Sequence, residues 1–442
     1  VKRTFSLSRG ATDGTALVAS GTALVAATYG LVRLAYGLFL PDVERSLSLD
    51  AGPAGWIASG SSVVYCAGAL LGFVLAPVRP RTTVVLAAAT AGLGVAAAAA
   101  SPSASWFAVA TVVASAGAGL ASPALVRLVQ RDLPAERVDR AQAVVNSGTG
   151  PGLVAVGALA LVLLPDWRSA WVVAAVVTVT AGAAVLLTDR HAPDGPTTPS
   201  GSGADEPAPG RGRGRTRHLV LPPPTWFVAH RRPVLVALLL GAGSSAVWTF
   251  GRSLLVGAGA PDTLSVVAWT ALGLGGAAVA LTARPLARLR ARTAWTVTAA
   301  AVALATLGLG LAPQAIPLAL VCCAVFGWGY TAATGALIAW TTELDAGRAA
   351  AGTSVLFVVL VLGQAVGAAV AGSAVHVLGT GAVFVVAAAV VGLAAALTLR
   401  RRGTVRTPAG RSTRPGPARR SSPRSTPAGP AADAGSPVRG RR

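Results

Sequence analysis

A chain of 442 residues that is 53% hydrophobic and 12% charged, with a mean hydropathy of +0.63, excludes a soluble globular protein. Its formal charge of +21 does not point to nucleic acid, because residues 400–442 hold twelve arginines against one aspartate and most other basic residues sit between apolar runs. Lys2 is the only lysine, which excludes a Walker A ATPase and any intramembrane catalytic or Schiff-base lysine.

The first apolar run, residues 16–40, is long enough for a helix to cross the ~30 Å core of a bilayer. It is also too long for the core of a cleavable signal, so it is expected to be retained as a transmembrane helix. Arg33 lies well inside it, and a guanidinium at that depth must face a cavity or a partner. Thr22, Ala26, Tyr29, Arg33, Tyr36 and Leu40 follow at spacings of four and three, which on an α-helix puts them on one polar face. Asp42 is expected to close this helix at the surface.

Further apolar runs follow at 54–76, 82–100, 104–126, 141–164, 168–187, 233–256, 263–283, 293–311, 315–341, 349–375 and 379–399, which makes twelve. Basic loop residues alternate strongly in side. One side holds Arg79 and Arg81, the segment Arg127–Arg140, Arg284–Arg292 and Arg348. The other holds only Arg45 and Arg168 among Asp42, Glu44, Asp50, Asp166 and Asp262. The asymmetry predicts cytoplasmic termini in a plasma-membrane protein. Residues 188–232 are rich in Pro, Gly, Ser and Thr and cannot bury a core, so they are expected to form a flexible cytoplasmic linker. The predicted organisation is a cytoplasmic N-terminus (1–15), a six-helix bundle (16–187), the linker, a second six-helix bundle (233–399) and a disordered Arg-rich tail (400–442).

The halves look alike. Trp56 and the basic loop Arg79–Arg81 in the first half are matched by Trp269 and Arg288–Arg292 in the second, and Arg33 has an approximate counterpart in Arg252. Two parallel repeats about an axis along the membrane normal are a transporter architecture. At this point the chain resembles the major facilitator superfamily over about residues 15–400. The run Arg33-Leu34-Ala35-Tyr36-Gly37-Leu38-Phe39-Leu40-Pro41 is similar to the first-helix signature of its YbfB/YjiJ-like bacterial branch. Phe326-Gly327-Trp328-Gly329-Tyr330 and Gly363-Gln364-Ala365-Val366-Gly367 are similar to that branch's tenth and eleventh helices. The resemblance implies an all-α membrane fold of twelve transmembrane helices in two pseudo-symmetric bundles, with helices one, four, seven and ten lining a central cavity.

Departures from the superfamily pattern are informative. The loop after helix two keeps Gly72, Arg79 and Arg81 but has no acid between them, so the family's salt-bridge latch has no obvious acidic partner. Helix five carries Gly150-Pro151-Gly152, which fits either the core of an antiporter motif or a bend that lets helices pack closely. With Arg288, Arg290 and Arg292 in the second half, these residues are the gating candidates.

For substrate contact the candidates are Tyr29, Arg33 and Tyr36 on helix one, Asn146 on helix five, Ser245, Trp248 and Arg252 on helix seven, Tyr330 and Thr334 on helix ten, and Gln364 on helix eleven. Helix two further offers Trp56, Ser59 and Tyr65. Two arginines converging on a cavity suit a carboxylate, and no Asp or Glu falls near the middle of any run. Trp106, Trp167 and Trp171 are expected to anchor at the membrane interface. The three cysteines lie in apolar runs without metal-ligand spacing and are expected to be core residues; no metal or cofactor is expected. No HExxH or GxSxG motif supports an enzyme, and no soluble output domain supports a receptor or sensor.

The reading is therefore a monomeric secondary active transporter working by alternating access on a small organic solute, anionic or neutral. The rival within the class is a proton-coupled drug or metabolite efflux permease. The basic tail is expected to rest on anionic inner-leaflet lipid, with no nucleic-acid partner.

Overall fold

The computed structural model describes residues 9–189 and 224–399, with side chains from Gly14 onward. Most of the expected linker, the first eight residues and the Arg-rich tail lie outside the described residues. Among those described, twelve helices are long and apolar enough to cross a membrane. In the first half they are α1 (Gly14–Leu47), α2 (Ala51–Leu75), α3 (Pro80–Ala99), α4 (Ala104–Asp132), α5 (Ala135–Leu163) and α6 (Trp167–Thr188). The second half holds α7 (Pro224–Gly257), α8 (Asp262–Ala287), α9 (Ala291–Leu311), α10 (Ile316–Leu344), α11 (Ala346–Leu378) and α12 (Thr380–Leu399).

The pairing repeats with a shift of six. In the first half α2 packs on α4, α3 on α4 and α6, and α1 on α5 and α6; in the second α8 packs on α10, α9 on α10 and α12, and α7 on α11 and α12. Between the halves α2 meets α11, α5 meets α8 and α1 meets α7, an arrangement that exchanging the halves leaves unchanged. The fold is thus two pseudo-symmetric six-helix bundles.

Several helix limits differ from the sequence expectation, α4 running on to Asp132 and α5 starting at Ala135 among them, and three departures have a plain physical reason. α1 does not stop at Pro41 but continues to Leu47, because the polar residues that end its apolar run are paired sideways with α7 and α8. α7 begins at Pro224, inside the expected linker, because Trp226 and His230 are buried one turn apart with their rings stacked at 3.7 Å. α5 is broken at Ser147-Gly148, where the stretch before Gly150-Pro151 leaves helical hydrogen bonding. Asp166 caps the start of α6, and hydrogen bonds from the Ser169 hydroxyl and backbone N–H hold its carboxyl below the usual range.

Trp167 and Trp171 are core residues rather than interface anchors. Trp171 stacks on Phe107 at 5.3 Å and meets Phe39 edge-on, and buried Trp167 meets Phe107 and Trp171 edge-on. Trp106 is exposed on the bundle surface. Cys66, Cys322 and Cys323 are buried free thiols.

Two glycines set how closely α1 is crossed. A Cβ at Gly30 would collide with the α5 backbone at Gly152, and one at Gly37 would collide with the Trp248 carbonyl of α7. Backbone against backbone leaves no side chain that could move aside. Gly37→Val should therefore lower the thermal unfolding midpoint of the detergent-purified protein, with about 1–3 kcal/mol of overpacking strain; an unchanged midpoint would show that α7 does not cross α1 here.

Candidate functional site

Helix α1 is sheltered from lipid, with 78% of its apolar window buried. Thr22, Ala26, Tyr29 and Arg33 are nevertheless half-exposed, one below the other along one stripe. Beyond them every residue from Ala35 to Val43 is buried. Solvent therefore follows this face from the end where α1 starts up to Arg33 and stops there. α7 divides in the same way: Arg231, Leu235, Leu238 and Ala242 are open, whereas from Gly243 to Leu255 only Trp248 and Ser253 are half-exposed.

The stripe is not a plain α-helix. Residues Ala26–Arg33 form a π-helical segment, a geometry often found at functional sites. Its wider turn rotates everything beyond it by roughly a quarter of a turn from the α-helical expectation. Tyr29 and Arg33 keep the open face while Tyr36 leaves it. The Tyr36 hydroxyl donates to the Ala54 carbonyl of α2 at 2.9 Å and its ring packs on Phe107, so Tyr36 is a packing residue and not part of the open site.

Around Arg33 six helices converge. Its Nη2 donates to Gln364 Oε1 on α11 at 3.2 Å, and Gln364 Nε2 donates to the Tyr330 hydroxyl on α10 at 2.9 Å. The guanidinium lies 4.3 Å above the Tyr65 ring of α2. The Tyr65 hydroxyl is 2.7 Å from that of Tyr29, which is 3.1 Å from Ser122 Oγ on α4. Trp248 of α7 meets Tyr330 edge-on at 5.4 Å and Phe326 at 5.7 Å, and Phe326 stacks on Tyr330. Among the described residues no carboxylate pairs with Arg33. Ser122 escaped the sequence reading because a single serine beside Pro123 in an apolar run gives no signal of its own.

The second expected cavity cation lies elsewhere. Arg252 is wholly buried and every one of its nitrogens is engaged. Nη1 pairs with Asp42 and donates to the Leu38 carbonyl at 2.7 Å, Nε donates to Ser265 at 2.9 Å, and Nη2 pairs with Asp262 at 3.0 Å. Arg45 also pairs with Asp42, and Ser253 donates to Glu44 Oε2 at 3.0 Å. Arg252 thus ties α7 to α1 and α8 at the far end, and Asp42 is a buried partner in that tie rather than a surface cap. Sequence reasoning missed this cluster because the apolar run ends at Pro41 while the helix does not.

The remaining candidates are distributed as follows. Ser245 is buried with its hydroxyl on the Ala242 carbonyl, and Thr334 bonds back to Thr331, so neither joins the Arg33 cluster. Asn146 is exposed at the break in α5. Gly72 packs against Leu120 and Pro123 of α4, Arg79 is exposed, and a Cβ at Gly150 would lie 3.9 Å from the Ala277 side chain of α8, beside an exposed Pro151. Arg81 finds the acid that its loop lacks in Asp189, just past the end of α6, at 3.1 Å; Arg131 of α4 pairs with the same carboxylate. In the second half Arg288 and Arg290 are exposed, Arg292 lies 5.4 Å over Trp340, and Glu343 accepts from the Ala291 backbone N–H at 3.0 Å.

A family model described as Major Facilitator Superfamily matches residues 22–359, about three-quarters of the chain. The chain belongs to the Major Facilitator Superfamily. Its structure is similar to that of the nucleoside transporter NupG, with a TM-score of 0.69 at 13% identity over 88% of this chain and 98% of that one. A D-xylose-proton symporter aligns with a TM-score of 0.66 at 13% identity, covering 88% and 97% of the two chains. The peptide transporter POT aligns at 0.69 and 12%, covering 88% and 93%. At such identities the likeness carries the fold and not the substrate. No curated protein matches the sequence significantly. As a member of this superfamily the protein is a multi-pass membrane protein and a secondary transporter of a small molecule, not an enzyme.

Removing one side of a buried ion pair leaves an uncompensated charge. Arg252→Ala should therefore cost about 3–5 kcal/mol, read as a lowered unfolding midpoint, and adding Asp42→Asn should restore part of the loss. A double variant no more stable than the single one would show that the two groups are not coupled.

Proposed function

We propose that this superfamily member moves an anionic or neutral organic solute by alternating access, binding it between the bundles at Arg33. The observation that carries the reading is the half-exposed Arg33 guanidinium at the blind end of the open stripe, with no carboxylate partner among the described residues. A cation held at that depth without an acid is suited to meet one on the solute. Tyr29, Trp248, Tyr330 and Gln364 complete the contact surface. Residues 16–187 and 233–399 act as the two rocking bodies.

The basic loop residues lie on the face from which α1 starts, which by their charge is the cytoplasmic one in a plasma-membrane protein. The state captured is then inward-open, with the Asp42–Arg252–Asp262 cluster closing the outside. Membership of the YbfB/YjiJ-like branch is supported by the Arg33–Pro41 run and the two later glycine motifs alone.

The test is transport. With purified protein in proteoliposomes, Arg33→Ala should lower organic-anion uptake by about 10- to 100-fold, the weight of one or two charge-assisted hydrogen bonds, while Arg140→Ala, at an exposed loop-side residue outside both candidate sets, leaves it unchanged. On a background with Cys66, Cys322 and Cys323 replaced by alanine, Ala26→Cys should react with a membrane-impermeant thiol reagent in inside-out vesicles and Leu38→Cys should not. Undiminished anion uptake by Arg33→Ala removes Arg33 from the site, and labelling of Leu38→Cys in preference to Ala26→Cys reverses the orientation.

A further inference from the structure

We infer that the solute bound at Arg33 is a monocarboxylate carried on a flat aromatic or unsaturated ring, an inference that rests on Arg33 being the anion anchor. Three features of the site converge on this class.

The first is charge. Among the described residues Arg33 is the one basic or acidic side chain in its cluster, for Gln364 brings an amide and Tyr330, Tyr65, Tyr29 and Ser122 bring hydroxyls. The other expected cavity cation, Arg252, is committed to Asp42 and Asp262 at the far end. One unpaired positive charge matches one negative charge. A dicarboxylate or a phosphate dianion would bring a second charge into a site that cannot pair it, and a cationic solute would meet an unopposed like charge.

The second is geometry. Arg33 uses one nitrogen on Gln364 and one face on Tyr65. Its remaining N–H donors have no hydrogen-bond partner among the described residues. A planar guanidinium that lies over a ring and is bonded at one corner keeps an edge of parallel N–H groups, the shape that takes a carboxylate in two-point contact.

The third is the lining. Half-exposed Tyr29, Trp248 and Tyr330 bring rings from both bundles, backed by buried Phe326 and Tyr65. Edge-to-face and stacked ring surfaces select a flat apolar body. Apart from the free Arg33 edge and the unpartnered Trp248 Nε1–H, the polar groups named here already bond one another: the Tyr29 hydroxyl is shared with Tyr65 and Ser122, and the Gln364 amide bonds both Arg33 and Tyr330. A sugar or nucleoside, with several hydroxyls needing partners, would find few here.

The test is calorimetric binding to the full-length protein in nanodiscs, with benzoate, benzamide, acetate, phthalate and uridine as probes. Benzoate should bind saturably and at least tenfold more tightly than each of the other four. Arg33→Gln should erase the preference for benzoate over benzamide, and Trp248→Leu should weaken benzoate more than acetate, with both variants keeping the parent's unfolding midpoint to within a few degrees. Tighter binding of phthalate or uridine, or no saturable binding of benzoate, overturns the ring-monocarboxylate assignment. If phthalate or acetate wins and still depends on Arg33, the anion anchor survives while the class fails; if no anion's binding depends on Arg33, the anchor fails too.

Discussion

A guanidinium with no access to water cannot be left partly bonded, and Arg252 shapes the far half of this molecule by that requirement. It takes a carboxylate from α1, another from α8, a hydroxyl from α8 and a carbonyl from α1. To deliver Asp42 and the Leu38 carbonyl, α1 must stay helical through Pro41. To bring Arg252 within reach, α7 must lie backbone-close to α1, which the bare Gly37 allows. An ion pair of this kind adds little over a packed apolar contact, yet it is very costly to half-break. Its weight in the structure is therefore the cost of leaving it half-made rather than a large net stabilisation.

Arg33 and Arg252 look equivalent in sequence and are physically opposite. Arg33 lies 14 residues before the end of α1 and Arg252 five before the end of α7. At 1.5 Å per residue their depths differ by about 13 Å along the helix axes. The deeper position is sealed and paired with acids. The shallower one is half-exposed, lies over the Tyr65 ring and is bonded only to a neutral amide. The same side chain serves as a tie in one place and as an offered charge in the other, and the difference lies in what faces it.

Twelve spans and their division into two bundles were legible because lipid demands long apolar helices and tolerates little else. Arg33, Tyr29, Trp248, Tyr330 and Gln364 were legible for the complementary reason: a polar or large amphipathic residue inside such a run must have something to face. Tyr36 was misplaced because spacing by α-helical period fails across a π-helical segment, and nothing in Ala26–Arg33 announces one. Asp42 was misplaced and Asp189 carried no signal because their partners, Arg252 and Arg81, lie far away in sequence and only the fold brings them together. Composition marks where the polar residues are, but burial of a pair is a property of packing.

The charged ties also sort by function according to which helices they join. At the face where α1 starts, Asp189 binds Arg81 of α3 and Arg131 of α4 inside the first bundle, and Glu343 holds the start of α9 inside the second. Across the bundles, the charged contacts of the described residues lie at the far end and at Arg33. Each bundle is thus braced internally at the open face, while the braces between bundles sit at the closed one, which suits two rigid bodies rocking about their shared interface. Between those levels, Arg33–Gln364 joins α1 to α11 through a neutral acceptor. A carboxylate is a stronger acceptor for the same fork, so any anion that takes the Gln364 side of Arg33 loosens a contact between the bundles at the moment it binds.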